Sequence, residues 1–222
     1  MKRYIFISIS IIFIICFTMI LISRKDNILV SEVRELVKLP TEEIINREYV
    51  SDGDYLVVEE AIREYIVDFK TSNLIIDKAI NDSAIEGVLS YENYVINGPE
   101  FSYNINLLNE KLSLVETEVN KLILMLDSRE NHLYLDKDLS EEYVDLFDRL
   151  ILEEVLGINK EDYLSDISLK SSTFKTLVNN CIEVLIFLKN NSSNWQLGEE
   201  KIEFYSDDLY EKYNELLVNF KQ

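Results

Sequence analysis

Apolar residues return every three or four positions through most of this chain, and one stretch departs from that rhythm by being apolar throughout. Tyr4–Ile22 (YIFISISIIFIICFTMILI) holds no charge, no Gly and no Pro. At helical rise it reaches roughly 28 Å, close to the ~30 Å hydrocarbon thickness of a bilayer. Lys2 and Arg3 precede it and Arg24 and Lys25 follow it, so the pattern predicts a single membrane-spanning helix. The run exceeds the apolar region of a secretory signal, and no small-x-small cleavage pattern follows it. An uncleaved anchor is therefore expected, with a cleaved leader as the alternative. Lys and Arg near the two ends are almost balanced. The short basic tail favours a cytoplasmic N-terminus and a chain that continues outside.

After the span, the pattern changes to helical periodicity. Residues 24–50 read as a stalk, with a short helix over Ile28–Leu39 that Pro40 ends and a new start at Thr41. A long helix is expected over 52–82, with Tyr55, Val58, Ile62, Tyr65, Phe69, Ile76 and Ile80 on one stripe and Ser72 in its gap. A connector over 83–98 carries a short helix and leads to Gly98-Pro99, read as a turn with Pro at the first helical position. Phe101, Ile105, Leu108, Leu112, Val115, Val119, Leu122 and Leu126 then alternate four and three, predicting a straight helix over 100–127. A further helix over 140–156 ends at Gly157, which suits a left-handed cap. The most apolar helix, 172–190, carries Phe174, Leu177, Cys181, Leu185 and Leu188. Residues 195–198 and 201–204 read as a short extended pair, and a last helix covers 207–220.

The expected fold class is all-α: an N-terminal transmembrane helix plus an elongated antiparallel bundle of four or five helices. The expected divisions are 1–23 (basic tail and anchor), 24–50 (stalk) and 51–222 (bundle).

Composition narrows the functional classes. With 41 Asp+Glu against 22 Lys+Arg, the formal net charge is −19. Such a chain lacks the basic clusters that phosphate contacts require, so nucleic acid is excluded as a partner, and a lie on anionic lipid is disfavoured. Gly and Pro number only 5 and 2, in keeping with long uninterrupted helices. Cys16 falls in the span and leaves Cys181 without a partner, so no disulfide framework exists.

No catalytic constellation emerges. His132 is the only histidine, and nothing beside it completes a zinc site or a Ser-His-Asp arrangement. It reads as an exposed loop residue. Asp52-Gly53-Asp54 and the run from Asp136 resemble fragments of calcium loops but lack the closing Glu, and both read as helix caps. Glu59-Glu60, Glu141-Glu142, Glu153-Glu154 and Glu199-Glu200 read as solvated helix faces. Cys181 sits in an apolar stripe and reads as a core thiol. Trp195, Phe204 and Tyr205 form the one candidate interaction patch, with closure of the bundle end as the competing reading. No cofactor and no metal are expected.

The basic leader and span, Ser51-Asp52-Gly53-Asp54-Tyr55, Glu92-Asn93-Tyr94, Gly98-Pro99-Glu100-Phe101, Trp195, Lys201-Ile202-Glu203-Phe204 and Tyr213-Asn214-Glu215-Leu216 carry a resemblance. Together they look like single-pass, membrane-anchored helical proteins of low-GC Gram-positive bacteria. That resemblance implies an anchored helical fold and no particular activity.

The expected role is interaction. A non-catalytic module is tethered to the lipid bilayer through Tyr4–Ile22 and binds a protein partner outside the cell; no homo-oligomer is predicted, and none is excluded. The alternatives are a cytoplasm-facing accessory subunit and a secreted helical protein released by leader cleavage.

Overall fold

The computed structural model describes residues 23–135 and 139–218. The expected anchor, Tyr4–Ile22, lies outside the described residues. Among those that are described, no helix is long and apolar enough to cross a membrane. The fold is all-α apart from one two-stranded hairpin. Its helices are α1 (23–36), α2 (Thr41–Asn46), α3 (Asp54–Ile80), α4 (Ser83–Glu86), α5 (Tyr91–Asn97), α6 (Ser102–Met125), α7 (Ser128–Asn131), α8 (Glu141–Leu150), α9 (Lys160–Asn190) and α10 (Asp207–Val218). The hairpin strands are β1 (Trp195–Leu197) and β2 (Ile202–Phe204).

By packing, the chain divides into two compact units. Among the described residues, unit 1 takes those up to Thr71 together with those between Ile123 and Tyr163; unit 2 takes Ser72–Leu122 and those from Leu164 to Val218.

In unit 1 the core is built on α1, the first part of α3 and α8. Residues 24–50 do not form a free stalk. Leu29, Val33 and Leu36 are fully buried, and Ile44 of α2 is buried as well. Their spacing puts them on one stripe of α1, which covers apolar surface that would otherwise meet water. Tyr65 of α3 is fully buried, packs edge-on against Phe147 of α8, and donates its hydroxyl to the Met125 carbonyl at 3.2 Å. Lys70 donates to the Val37 and Leu39 carbonyls at 2.7 Å, closing the end of α1.

At Leu150, α8 leaves regular geometry and continues as a π-helical turn, Ile151–Leu156. Gly157 follows in the left-handed conformation (φ 63°), as its place after an apolar stripe predicts.

The interior of unit 1 is also charged. Glu59 is fully buried and accepts from the Val50 and Ser51 amides and from Arg63 at 2.6 Å. Arg63 reaches Glu32 at 3.2 Å and the carbonyls of Arg47 and Glu48, and stacks its guanidinium over Tyr49. Arg47 grips Glu32 with two nitrogens, at 2.6 and 3.0 Å. Glu59 is thus not part of a solvated face; it fastens the loop after α2 onto α3.

In unit 2 the last part of α3, α6 and most of α9 pack together. Glu116 pairs with Lys175 and Glu100 with Lys189. Pairing therefore descends α6 as it climbs α9, so the two are antiparallel neighbours. Phe101, Leu108, Val115, Val119 and Leu122 are buried as the alternating stripe predicts, while Ile105 and Leu112 are half-buried. The inner face of α9 is Ile167, Phe174, Val178, Cys181, Val184, Leu185 and Leu188. Leu177, expected inside, is exposed, because the stripe runs through Val178 instead. The helix also begins twelve residues before the expected position, at Lys160. The Gly98–Pro99 peptide is cis, and α6 starts only at Ser102. Pro99 is therefore not the first helical residue. Gly98 admits a close approach, since a Cβ there would lie 2.5 Å from the Tyr94 carbonyl.

Candidate interaction surface

The hairpin is short because only three residues on each strand pair. Trp195 opposes Phe204, Gln196 opposes Glu203 and Leu197 opposes Ile202, in antiparallel register. Its inward side carries Trp195 and Ile202, both buried. Trp195 stacks near Phe101 (6.3 Å between ring centres) and donates its indole N–H to the Leu188 carbonyl at 2.8 Å, satisfying an orphan group near the end of α9. Tyr91 of α5 donates to the Gly198 carbonyl in the hairpin turn.

Around this hairpin lies an aromatic cluster. Phe204 packs against Phe187, Tyr210 and Tyr213, with the closest ring centres 5.2 Å apart. Tyr94 meets Phe101 edge-on and exchanges a hydroxyl hydrogen bond with Tyr213 at 3.2 Å. Burial, reinforced by Tyr213, drives the Tyr94 phenol well above its ordinary range, and burial does the same to Tyr213.

The closing helix α10 differs from α3, α6 and α9. It is amphipathic, yet none of its residues is buried. Leu209, Tyr213, Leu216 and Leu217 are half-buried. Tyr210 and Val218 are about half exposed, at 53% and 49%, and Tyr205 is 64% exposed, with its hydroxyl 3.2 Å from the Gln196 amide oxygen.

The three residues singled out from sequence thus take different positions. Trp195 closes the core of unit 2, Phe204 bridges core and surface, and Tyr205 faces solvent. The expected patch narrows to Tyr205 and gains Tyr210 and the open flank of α10. The signal for Tyr210 was present in the spacing Tyr210, Asn214, Leu217, Val218, which lies beside the helix's main stripe. Phe220, expected on this helix, lies outside the described residues.

Elsewhere, His132 is not isolated: its Nε2 lies 2.9 and 3.1 Å from the two Asp148 oxygens in unit 1. Cys181 is buried, and burial pushes its thiol up to about 11, away from the reactive thiolate. Glu154 accepts from Nε and one Nη of Arg34 at 2.7 and 2.8 Å. Among the described residues no three His, Cys, Asp or Glu side chains converge as a metal site would require. Comparison of the chain with protein-family models, with curated proteins and with solved structures gives no match.

Proposed function

We propose that this protein is a non-catalytic helical interaction module, tethered to the membrane by Tyr4–Ile22, with the bulk of the chain outside the cytoplasm. One observation carries the interaction half of this reading. The hairpin and α10 of unit 2 present an aromatic and aliphatic flank that no described residue buries. Tyrosines suit such a role, since each offers a large apolar ring at low entropic cost with a hydroxyl to direct hydrogen bonds. The tether half rests on the length and composition of Tyr4–Ile22.

Two experiments test the reading. On intact cells carrying a C-terminal tag, external protease removes the tag without lysis, and the full chain stays in the membrane fraction after an alkaline wash. Protection of the tag until lysis would reverse the orientation, and a tag released into the medium would replace the anchor with a cleaved leader. For the surface, Tyr205→Ser combined with Tyr210→Ser abolishes co-purification of a saturable partner while leaving the thermal midpoint within about 2 °C, as exposed substitutions do. Undiminished partner recovery from that variant would remove the surface from the proposal.

A further inference from the structure

Two stripes run along α10. Leu209, Tyr213 and Leu216, spaced four and three, are half-buried, and Tyr213 packs on Phe204 with ring centres 5.2 Å apart. This stripe seats the helix on unit 2. One residue further along, Tyr210, Asn214 and Leu217 repeat the same spacing, with Val218 beside them. Four-three spacing is the seam by which one helix packs along another. Here the outer seam is covered on one side only. Tyr210 and Val218 are about half exposed, and no residue of α10 is buried.

The open edge of that seam is acidic. Asp207, Glu211 and Glu215 recur every four residues, and each stands three residues before a member of the seam: Tyr210, Asn214 and Val218 in turn. Residues three apart on a helix are surface neighbours, so the carboxylates border the seam along its length. All three are exposed, and none forms an ion pair among the described residues. The helix dipole favours Asp207 in the first turn, but it does nothing for Glu215, and like charges four residues apart repel. Lys212 is the one cation of α10. Helix geometry puts it beyond the acidic stripe, away from the seam. Unit 2 shows the same arrangement completed elsewhere. Along the apolar contact of α6 with α9, Glu116 pairs with Lys175 and Glu100 with Lys189.

We propose that α10 docks a cationic amphipathic helix of a partner protein. The apolar residues of that helix cover Tyr210, Leu217 and Val218, and its Lys or Arg side chains pair with Asp207, Glu211 and Glu215. This inference rests on the reading of α10 as an interaction surface and adds the chemistry of the partner. A second copy seated on the same face brings no cations to the stripe, because its own α10 carries the same acids. An anionic lipid surface is repelled by them.

The test uses the full chain in phosphatidylcholine discs, with empty discs as the blank. The probe is a synthetic peptide of about eighteen residues, long enough to hold a helix. Its leucines recur every three and four positions and its other residues are lysine; a companion peptide replaces every lysine by glutamine. The lysine peptide binds saturably and at least about tenfold tighter than the glutamine peptide, and the advantage shrinks as salt rises from about 0.05 to 0.5 M. Glu211→Gln with Glu215→Gln weakens the lysine peptide about tenfold and leaves the glutamine peptide unchanged. Glu42→Gln with Glu43→Gln, the same change of net charge at exposed positions of unit 1, alters neither. Tyr210→Ser weakens both peptides. No saturable binding of the lysine peptide, or equal binding of the two peptides, would overturn the cationic partner. So would an equal loss from the Glu42 and Glu43 variant, which would assign the effect to overall charge. Each of these leaves the interaction surface to its own test, whereas undiminished binding of both peptides by Tyr210→Ser would remove the surface itself. A crosslink from position 210 to a second copy of the chain would give the seam to self-association and overturn the proposal as well.

Discussion

The two units solve the same packing problem with different interiors. Among the described residues, every buried charged side chain (Glu32, Glu59 and Arg63) belongs to unit 1. The buried polar residues of unit 2, Ser72 and Asn104, are neutral. Both units pack aromatic rings, Tyr65 against Phe147 in unit 1 and Tyr94, Phe101 and Trp195 around the hairpin in unit 2, so what separates them is the buried charge. A buried ion network adds little net stability compared with an apolar core, but it is expensive to break and it fixes one arrangement of the chain. In unit 2 the aromatic cluster reaches α10, none of whose residues is buried. The difference teaches that one interior is fastened by paired charges and the other is closed by neutral side chains alone.

The largest effect should come from importing a charge into the uncharged interior. Leu108→Asp puts a carboxylate at a fully buried position of unit 2 with no cation beside it, at a cost of several kcal/mol, about 4 or more. Leu112→Asp, on the same stripe but half-buried, costs less than half as much. Chemical unfolding of the full chain compares them, and equal costs would mean that the stripe buries both alike.

Breaking the network of unit 1 comes next. Glu59→Ala takes from Arg63 its closer carboxylate, leaving Glu32 as its ionic partner, and releases two backbone amides, and should cost about 3–5 kcal/mol. Glu59→Ala with Arg63→Met should recover part of that loss. A loss below about 1 kcal/mol for the single variant would mean that Arg63 finds water.

Alkali probes both units together. Tyr65 in unit 1 and Tyr94 in unit 2 have phenols raised mainly by burial, and burial lifts the Cys181 thiol from 9.0 to about 11. Above their ordinary values the unfolded chain loses these protons while the folded chain keeps them. The associated stability is complete below about pH 9 and is lost as pH rises, first through the thiol and then through the phenols, by on the order of 1–3 kcal/mol. Denaturation midpoints at pH 8, 10 and 11 measure it. Tyr94→Phe should flatten the decline, and an unchanged decline would exclude Tyr94 as a contributor.

The smallest effects belong to the surface. Lys170→Ala removes the pair with Asp77 in unit 2, and Lys38→Ala removes the pair with Glu35 in unit 1. Each should shift stability by no more than about 0.5 kcal/mol, and less in high salt. A loss above about 1 kcal/mol would give surface charge a weight that this account does not.

Much of the helical fold was legible because periodicity reports burial directly. The four-three alternation from Phe101 to Leu126 matches α6 closely, and Gly157 marks the cap of the π-helical turn that continues α8. The misreadings have physical causes. The start of α9 was hidden because Ser168, Ser171, Ser172 and Thr173 interrupt its apolar run, although Leu164, Ile167 and Phe174 keep the spacing. Residues 24–50 read as a stalk because Pro40 and the surrounding charges mask the three-residue stripe Leu29, Val33 and Leu36. Glu59 reads as a solvated carboxylate because a pair of glutamates carries no sign of the Arg63 that reaches it one turn later. The aromatic patch was half legible: an aromatic residue announces contact, but whether it faces core or solvent is decided by register within the hairpin.

The most direct test of the interaction module is site-specific photocrosslinking from the full-length chain in living cells. A photoreactive residue at Tyr210 of unit 2 is compared with one at Lys38, an exposed position of unit 1. The account predicts a discrete adduct from position 210 that disappears with Tyr205→Ser, and none from position 38. The absence of any adduct at 210, or the same adduct from both positions, would contradict it.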